Sequence, residues 1–252
     1  MVTLYFSGTG NTKYIAQQYS KRMNCGCYSI EDNIDFIKVI SMNECICVCF
    51  PIYDSRVPRI LREFIHKHRE LFKDKQLIIL VTQMFFSGDG ARSLTDLFPK
   101  NYLHVLYAEH FNMPNNVCNI PFLWKIWVKN GRLNDKKLYK ANKKLKKTCD
   151  DIKSGRVVKR GFNVFSQILG LCQGSFAEKI DERGKTSVKT YSDCTGCGIC
   201  VKICPMKNLE LIDGKIEHKN NCTICYRCVN TCPQKAITVL INRKPKIQYH
   251  GV

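Results

Sequence analysis

Eight of the sixteen cysteines lie in two copies of the pattern C-x2-C-x2-C-x3-C-P, which are offset by 28 residues. Three thiolates at this spacing can bind one face of a cubane iron–sulfur cluster. The fourth cysteine, followed by a turn-directing proline, points away to the other cluster. The spacing therefore predicts two interlocked ligand sets. One set is Cys194, Cys197, Cys200 and Cys232; the other is Cys222, Cys225, Cys228 and Cys204.

Structural zinc is the competing interpretation of this repeat. Zinc sites also use C-x2-C pairs, but they usually bring two separated pairs instead of three cysteines in quick succession. The spacing favours iron, and Gly196 and Gly198 between the ligands would let backbone amides approach the cluster sulfides. Over residues 191–240 the repeat closely resembles the bacterial two-cluster ferredoxins, which implies two [4Fe-4S] clusters.

A second chemical motif is the segment Ser7-Gly-Thr-Gly-Asn-Thr12, which follows an apolar strand and precedes a helix. Hydroxyl donors, a tightly turning backbone and the free N–H groups of a helix N-terminus together favour a phosphate. The segment matches neither the P-loop nor the dinucleotide-binding fingerprint, which disfavours nucleoside triphosphates and NAD.

This segment resembles the phosphate loop of flavodoxins, which implies that an FMN phosphate is bound there. Two later loops follow strands at the sheet edge where such ligands bind. The resemblance implies that Tyr53 and either Phe85 or Phe86 stack on the flavin ring, although ordinary packing is the open alternative for each. The expected FMN contacts are Ser7, Thr9, Gly10, Asn11, Thr12, Pro51, Tyr53, Gln83, Phe85, Phe86, Gly88 and Gly90.

The segment 111–116 and the closing Tyr249-His250 extend the likeness over nearly the whole chain. The sequence thus resembles the flavodoxin-domain ferredoxins, a family with FMN and two cubane clusters on one polypeptide. The resemblance implies an α/β flavodoxin-like, doubly wound, parallel five-stranded sheet followed by a small α+β two-[4Fe-4S] ferredoxin domain. We expect domains at 1–154 and 191–242, a connector at 155–190 and a tail at 243–252.

The hydrophobic pattern supports this organisation. Apolar runs at 2–6, 45–50, 77–82 and 102–108 indicate buried strands, with a weaker strand at 27–30. Helical spacing occurs at 11–23, 57–68, 91–97 and 134–154, and residues 162–171 indicate a linker helix. Cys45, Cys47 and Cys49 alternate along one strand, where we expect them to pack as small apolar groups.

Composition excludes several classes. The 252 residues are 44% hydrophobic and 24% charged, which is typical of a soluble globular protein. The longest apolar run, 77–86, is half the length of a membrane-spanning helix. The N-terminal segment has no features of a secretion signal, so we expect a cytoplasmic protein with reduced thiols.

The formal charge of +19 is concentrated, since residues 125–160 hold 14 Lys and Arg against three Asp. A solvated helix face and a docking patch are both open interpretations. We expect a soluble, acidic redox partner. A nucleic-acid or membrane-surface binder is disfavoured because basicity alone does not explain two cofactor sites.

Together these features predict an electron-transfer protein that links one- and two-electron carriers. The alternative is an FMN-dependent reductase of a quinone or nitro compound that receives electrons through the clusters. No catalytic triad or carboxylate pair stands out in the sequence, so we assign no catalytic residue.

Overall fold

The described part of the chain comprises residues 1–53, 56–120, 128 and 132–252 of a computed structural model, without the side chains of 132–133 and 172–177. Residues 54–55 of the predicted loop after the second buried strand lie outside this description. So do residues 125–127 and 129–131 of the basic segment and the side chain of Cys172.

The first half of the chain forms a parallel sheet with strand order β2-β1-β3-β4-β5-β6. Its strands are β1 (Val2–Tyr5), β2 (Gly26–Ser29), β3 (Cys45–Pro51), β4 (Gln76–Gln83), β5 (His104–Asn112) and β6 (Val158–Lys159). The doubly wound fold is confirmed, but the sheet has six strands instead of the predicted five. β6 pairs with β5 through only two residues, too few to leave an alternating pattern in the sequence.

The two faces of the sheet are covered by α1 (Asn11–Met23), α2 (Phe36–Ser41), α3 (Arg59–His68) and α4 (Arg132–Lys153). A further helix, α5 (Val164–Thr186), follows β6 and packs against the loop after β4 and against Ile224 of the second half. The predicted helix at 91–97 is a 3-10 helix, Arg92–Leu97, and the predicted linker helix extends to Thr186 as α5. Asn163 begins α5 by accepting a hydrogen bond from the Ser166 amide at 2.7 Å, a side-chain N-cap. Within the described residues, no helix is long and apolar enough to cross a membrane.

β3 shows why the sheet needs cover on both sides. Its even-numbered residues, such as Ile46 and Phe50, pack in one core, while Cys45, Cys47 and Cys49 pack in the core on the opposite face. All five side chains are buried, which confirms the predicted apolar role of these cysteines. A parallel strand buried on both faces reads as a continuous apolar run.

The cysteine repeat builds the second half from two matching units. α6 (Ile199–Ile203) and α7 (Arg227–Thr231) start at equivalent positions of the two copies. β7 (Lys189–Thr190) pairs with β10 (Ile237–Thr238), and β8 (Leu209–Ile212) pairs with β9 (Lys215–His218), both antiparallel. Their apolar side chains form a third core, so this half is the expected small α+β unit.

Near the end of β5, two neighbouring titratable side chains are buried. Glu109 accepts from Lys144 and Arg160, each at 2.8 Å. His110 Nε2 accepts a hydrogen bond from the Ala91 amide at 3.2 Å. Burial, and then the positive charges of Lys144 and Arg160, lower the pKa of His110 to about 4. The imidazole is therefore neutral in the folded protein at neutral pH.

We predict that this histidine makes the fold acid-sensitive. Its pKa is lower in the folded chain than the unfolded value of about 6.5, so the unfolded state binds more protons between these values. Stability should fall by about 2 kcal/mol between pH 7 and pH 5. The thermal denaturation midpoint of His110→Gln should drop less over this range than that of the wild type. His66→Gln, at an exposed position, is the control. Equal drops for wild type and His110→Gln would contradict the prediction.

Candidate functional site

A cavity of about 350 Å³ lies at the carboxyl end of the sheet, where the loops after β1, β3, β4 and β5 meet. This edge is where open α/β sheets bind their ligands. Seven of the predicted flavin contacts line it: Ser7, Thr9, Asn11, Thr12, Pro51, Tyr53 and Gln83. Gly10 lies within the same loop at the start of α1.

The loop between β1 and α1 is held by hydrogen bonds to its own side chains and to the loop after β5. The Gly10 amide donates to Ser7 Oγ at 3.1 Å, and Asn116 Nδ2 donates to Thr9 Oγ1 at 3.0 Å. Asn11 Nδ2 donates to the Pro114 carbonyl at 2.8 Å. The first turn of α1 has no acidic residue. The helix N-terminus therefore offers its free N–H groups to an anion, without a competing carboxylate in that turn.

Besides Gly10, four predicted flavin contacts lie outside the cavity lining, all in the loop after β4. Phe85 and Phe86 are 50% and 55% exposed. Gly88 packs against α5, since a Cβ at that position would lie 2.9 Å from the Gly170 nitrogen. Gly90 packs on Ser87 and Ile52. The loop after β4 therefore contacts α5 at Gly88 and the cavity-lining Ile52 at Gly90, and its two phenylalanines are exposed.

Tyr53 lies at the border of the two halves. Its side chain lines the cavity, and its buried hydroxyl has no hydrogen-bond partner among the described residues. A Cβ on Gly8 would come within 2.5 Å of this hydroxyl and within 2.5 Å of the Cys225 carbonyl oxygen. Burial first, and then the nearby Cys225, raise the pKa of Tyr53 well above its usual range.

The cavity has the characteristics that FMN requires. Its volume lies within the range of small-molecule sites, and its lining combines apolar side chains with hydroxyl and amide groups. The helix N-terminus and the hydroxyls of Ser7, Thr9 and Thr12 would hold the phosphate. Ile52, Met84 and Met113 would provide apolar contact for a ring. The buried, unpartnered Tyr53 hydroxyl is a polar group that a ligand could satisfy.

The eight repeat cysteines line two further cavities, four to each. The first is bordered by Cys194, Cys197, Cys200 and Cys232; the second by Cys204, Cys222, Cys225 and Cys228. Each quartet combines three cysteines of one copy with the last cysteine of the other, which is the predicted interlocked grouping. Among the described residues, no three His, Cys, Asp or Glu side chains converge as the ligands of a single ion do. Each quartet borders its own small cavity.

Both copies share an unusual backbone on either side of their second cysteine. Gly196 and Gly198 have φ of 64° and 70°, and the equivalent Ile224 and Tyr226 have φ of 58° and 59°. Left-handed residues next to right-handed ones turn successive N–H groups to one side and form anion-binding concavities of the kind found at Fe–S sites. The Asn208 and Ala236 amides, also equivalent, each donate to a quartet sulfur at 3.3 Å.

The two quartets differ in exposure. In the first, Cys197 is exposed and the other three are partly buried; in the second, all except Cys204 are buried. Burial raises the pKa of Cys222 to about 11 and that of Cys225 to about 12. A bound metal deprotonates such thiols outright, so iron would supply the positive charge that these buried thiolates need.

One residue joins the large cavity to the second quartet. Tyr226, which follows Cys225, lines both cavities, and its hydroxyl donates to the Val239 carbonyl at 3.1 Å. Ile224, which precedes Cys225, also lines the large cavity. The second quartet and the large cavity therefore share a wall.

Several lining residues were absent from the predicted contact set. The loop at 113–117 follows β5 at the same sheet edge, so the rule that ligands bind at strand carboxyl ends would have found it. Ile224, Tyr226, Leu240 and Ile241 come from the second half, and no local pattern signals that they face the first. Tyr249 was also missed, although its hydroxyl donates to Asn11 Oδ1 at 2.5 Å.

Comparisons with known proteins agree with this division. A family model described as Flavodoxin domain matches residues 2–148, and one described as 4Fe-4S dicluster domain matches residues 193–237. No curated protein matches the chain. A Megasphaera elsdenii flavodoxin is 15% identical, with 57% of this chain and 99% of that chain covered and a TM-score of 0.39. The Trp repressor binding protein of Bacillus subtilis is 13% identical, with 59% and 97% covered and a TM-score of 0.42.

The two matched domains imply FMN and iron–sulfur chemistry, and they support an electron-transfer role. The flavodoxin match covers more than half of the 252 residues. This protein therefore belongs to the flavodoxin domain family.

Proposed function

We propose that the chain transfers electrons between a soluble redox protein and FMN through two [4Fe-4S] clusters, one in each cysteine quartet. The observation that carries this proposal is Tyr226, which lines both the flavin-sized cavity and the second quartet. When bound, a cubane cluster exchanges one electron and a flavin exchanges one or two, so together they would link one-electron carriers with two-electron carriers.

The chain's own residues would hold and insulate the two groups. The start of α1 with Ser7, Thr9 and Thr12 binds the phosphate. Ile224 and Leu240 close the cavity on the side of the second half and exclude water. The left-handed residues on either side of each second cysteine present N–H groups to the cluster, and such hydrogen bonds tune its reduction potential.

The different solvent exposure of the two cysteine quartets suggests the order in which electrons pass through them. Cys197 of the first quartet is exposed, so this quartet is the exchange point with a partner protein. The buried second quartet is the step adjacent to the flavin cavity. Electrons thus pass between partner, first quartet, second quartet and flavin site, in either direction.

An acidic partner is proposed from the charge of the whole chain. Beside the first quartet, exposed Lys202 lies two residues after Cys200 on α6, and exposed Lys215 lies between the exposed acidic residues Asp213 and Glu217. With a formal charge of +19, the chain attracts anionic surfaces at long range. A reductase acting on a small oxidant stays the alternative. Turnover of quinones or nitro compounds faster than electron exchange with a ferredoxin would favour it.

Metal and flavin content tests the cofactor assignment. Anaerobically purified wild type should contain roughly eight iron atoms and one FMN per chain. Cys197→Ala should retain FMN and lose about half of the iron, because one quartet becomes incomplete. Cys149→Ala, a buried cysteine of α4 outside both quartets, should keep the full iron content. Wild type loaded only with zinc, or Cys197→Ala with unchanged iron, would refute the assignment.

Ionic strength tests the docking surface. Reduction of bound FMN by a reduced, acidic plant-type [2Fe-2S] ferredoxin should slow roughly tenfold or more between low and high salt, because screening removes the attraction. Lys202→Gln should slow the reaction at low salt and leave the high-salt rate unchanged. Lys38→Gln, on α2 of the first half, is the control. A rate indifferent to salt in the wild type would contradict acidic docking.

A further inference from the structure

Arg227, between Cys225 and Cys228 of the second quartet, reaches across the domain boundary to the phosphate loop. Its Nε donates to the Gly8 carbonyl at 3.0 Å, and one terminal nitrogen donates to the Ser7 carbonyl at 2.8 Å. The Glu31 carboxylate accepts two bonds from its terminal nitrogens at 2.8 Å and 2.7 Å. The Ile203 carbonyl, next to Cys204, accepts the fifth at 3.0 Å. All five N–H donors of the guanidinium are therefore used.

These bonds fix the orientation of two peptide groups. The Ser7 and Gly8 carbonyls point at the guanidinium, and the described residues contain no cis peptide bond. In a planar trans peptide the N–H points opposite to the C=O. The amides of Gly8 and Thr9 consequently point away from Arg227, and both residues line the cavity. The guanidinium thus decides which side of the loop presents donors.

The same side chain belongs to the cluster-binding segment. It is the first residue of α7, and its contact with Ile203 connects it to the segment that carries Cys204. Cys225 and Cys228 lie within two residues of Arg227 along the chain, and Cys204 follows Ile203 directly. Three of the four cysteines of the second quartet are therefore next to this hydrogen-bond network.

From this network we infer that Arg227 is a positioning residue that couples FMN binding to the integrity of the second quartet. The inference rests on the proposed function, since it assumes FMN in the cavity and a cluster in the quartet. The guanidinium does not need to contact either group. It holds the phosphate loop in its binding form from the cluster side, so each site stabilises the other.

The experiment uses the full chain with its iron, from which FMN has been removed, and measures the Kd of added FMN by quenching of flavin fluorescence. Arg227→Lys keeps the positive charge but loses the planar guanidinium and its five donors. Glu31→Gln removes the carboxylate that accepts two of these hydrogen bonds. Arg62→Gln breaks an ion pair that does not involve the phosphate loop, between Arg62 of α3 and Asp181 of α5, and is the control. Iron content and thermal denaturation midpoint verify that each variant is loaded and folded.

Positioning and simple charge attraction predict opposite results for Glu31→Gln. If only electrostatic attraction of the FMN phosphate mattered, removing the negative charge of Glu31 would strengthen FMN binding. Loss of a positioning contact should instead weaken it. We expect the Kd to rise about tenfold for Arg227→Lys and threefold or more for Glu31→Gln, and to stay within twofold for Arg62→Gln. Equal or tighter binding by Glu31→Gln, or wild-type binding by Arg227→Lys, would overturn the inference.

A second measurement tests the same coupling through the effect of bound FMN on iron release. Saturating FMN should slow iron release to a chelator about fivefold in wild type and should have no effect in Arg227→Gln. FMN protection that persists in Arg227→Gln would also overturn the inference. A wild-type chain that holds iron but never binds FMN would refute the proposed function instead, so the two failures are distinguishable.

Discussion

The structure depends on one close approach between two backbone segments, the loop around Cys225 and the loop between β1 and α1. Gly8 permits it, because a Cβ there would lie 2.5 Å from the Cys225 carbonyl oxygen and 2.5 Å from the Tyr53 hydroxyl. Any side chain at this position would push the two halves apart. The shared wall of the flavin-sized cavity and the second quartet exists because these two backbones touch. The tail strengthens the same junction, since Tyr249 donates to Asn11 and its amide donates to Asn230.

The two quartets show how one backbone arises from different residues. The first copy uses Gly196 and Gly198 at its left-handed positions, where glycine is free of strain. The second uses Ile224 and Tyr226, and a β-branched residue at positive φ is a costly outlier. Both are buried, and Ile224 packs where α5 has Gly184, at which a Cβ would lie 2.3 Å from its Cδ1. Tertiary packing therefore holds the strained copy, and these two side chains line the flavin-sized cavity.

The sequence predicted what depends on local spacing. The doubly wound sheet follows from hydrophobic periodicity, and the quartet groupings follow from ligand spacing within two copies of one repeat. It did not predict contacts made across the domain boundary, such as those of Arg227, because no local pattern records them. The assignment of Phe85 and Phe86 to the ring rested on resemblance and loop position, and it stays a prediction, since both side chains are exposed and neither lines the cavity. The two-residue β6 was too short to detect.

The most direct test of the shared wall is anomalous diffraction at the iron edge from crystals of the anaerobic, FMN-loaded chain. The account predicts two groups of iron, one within each quartet, and flavin density in the cavity bordered by Ser7, Tyr53 and Tyr226. Iron in both quartets with flavin bound away from Tyr226, or single metal ions in place of clusters, would contradict it.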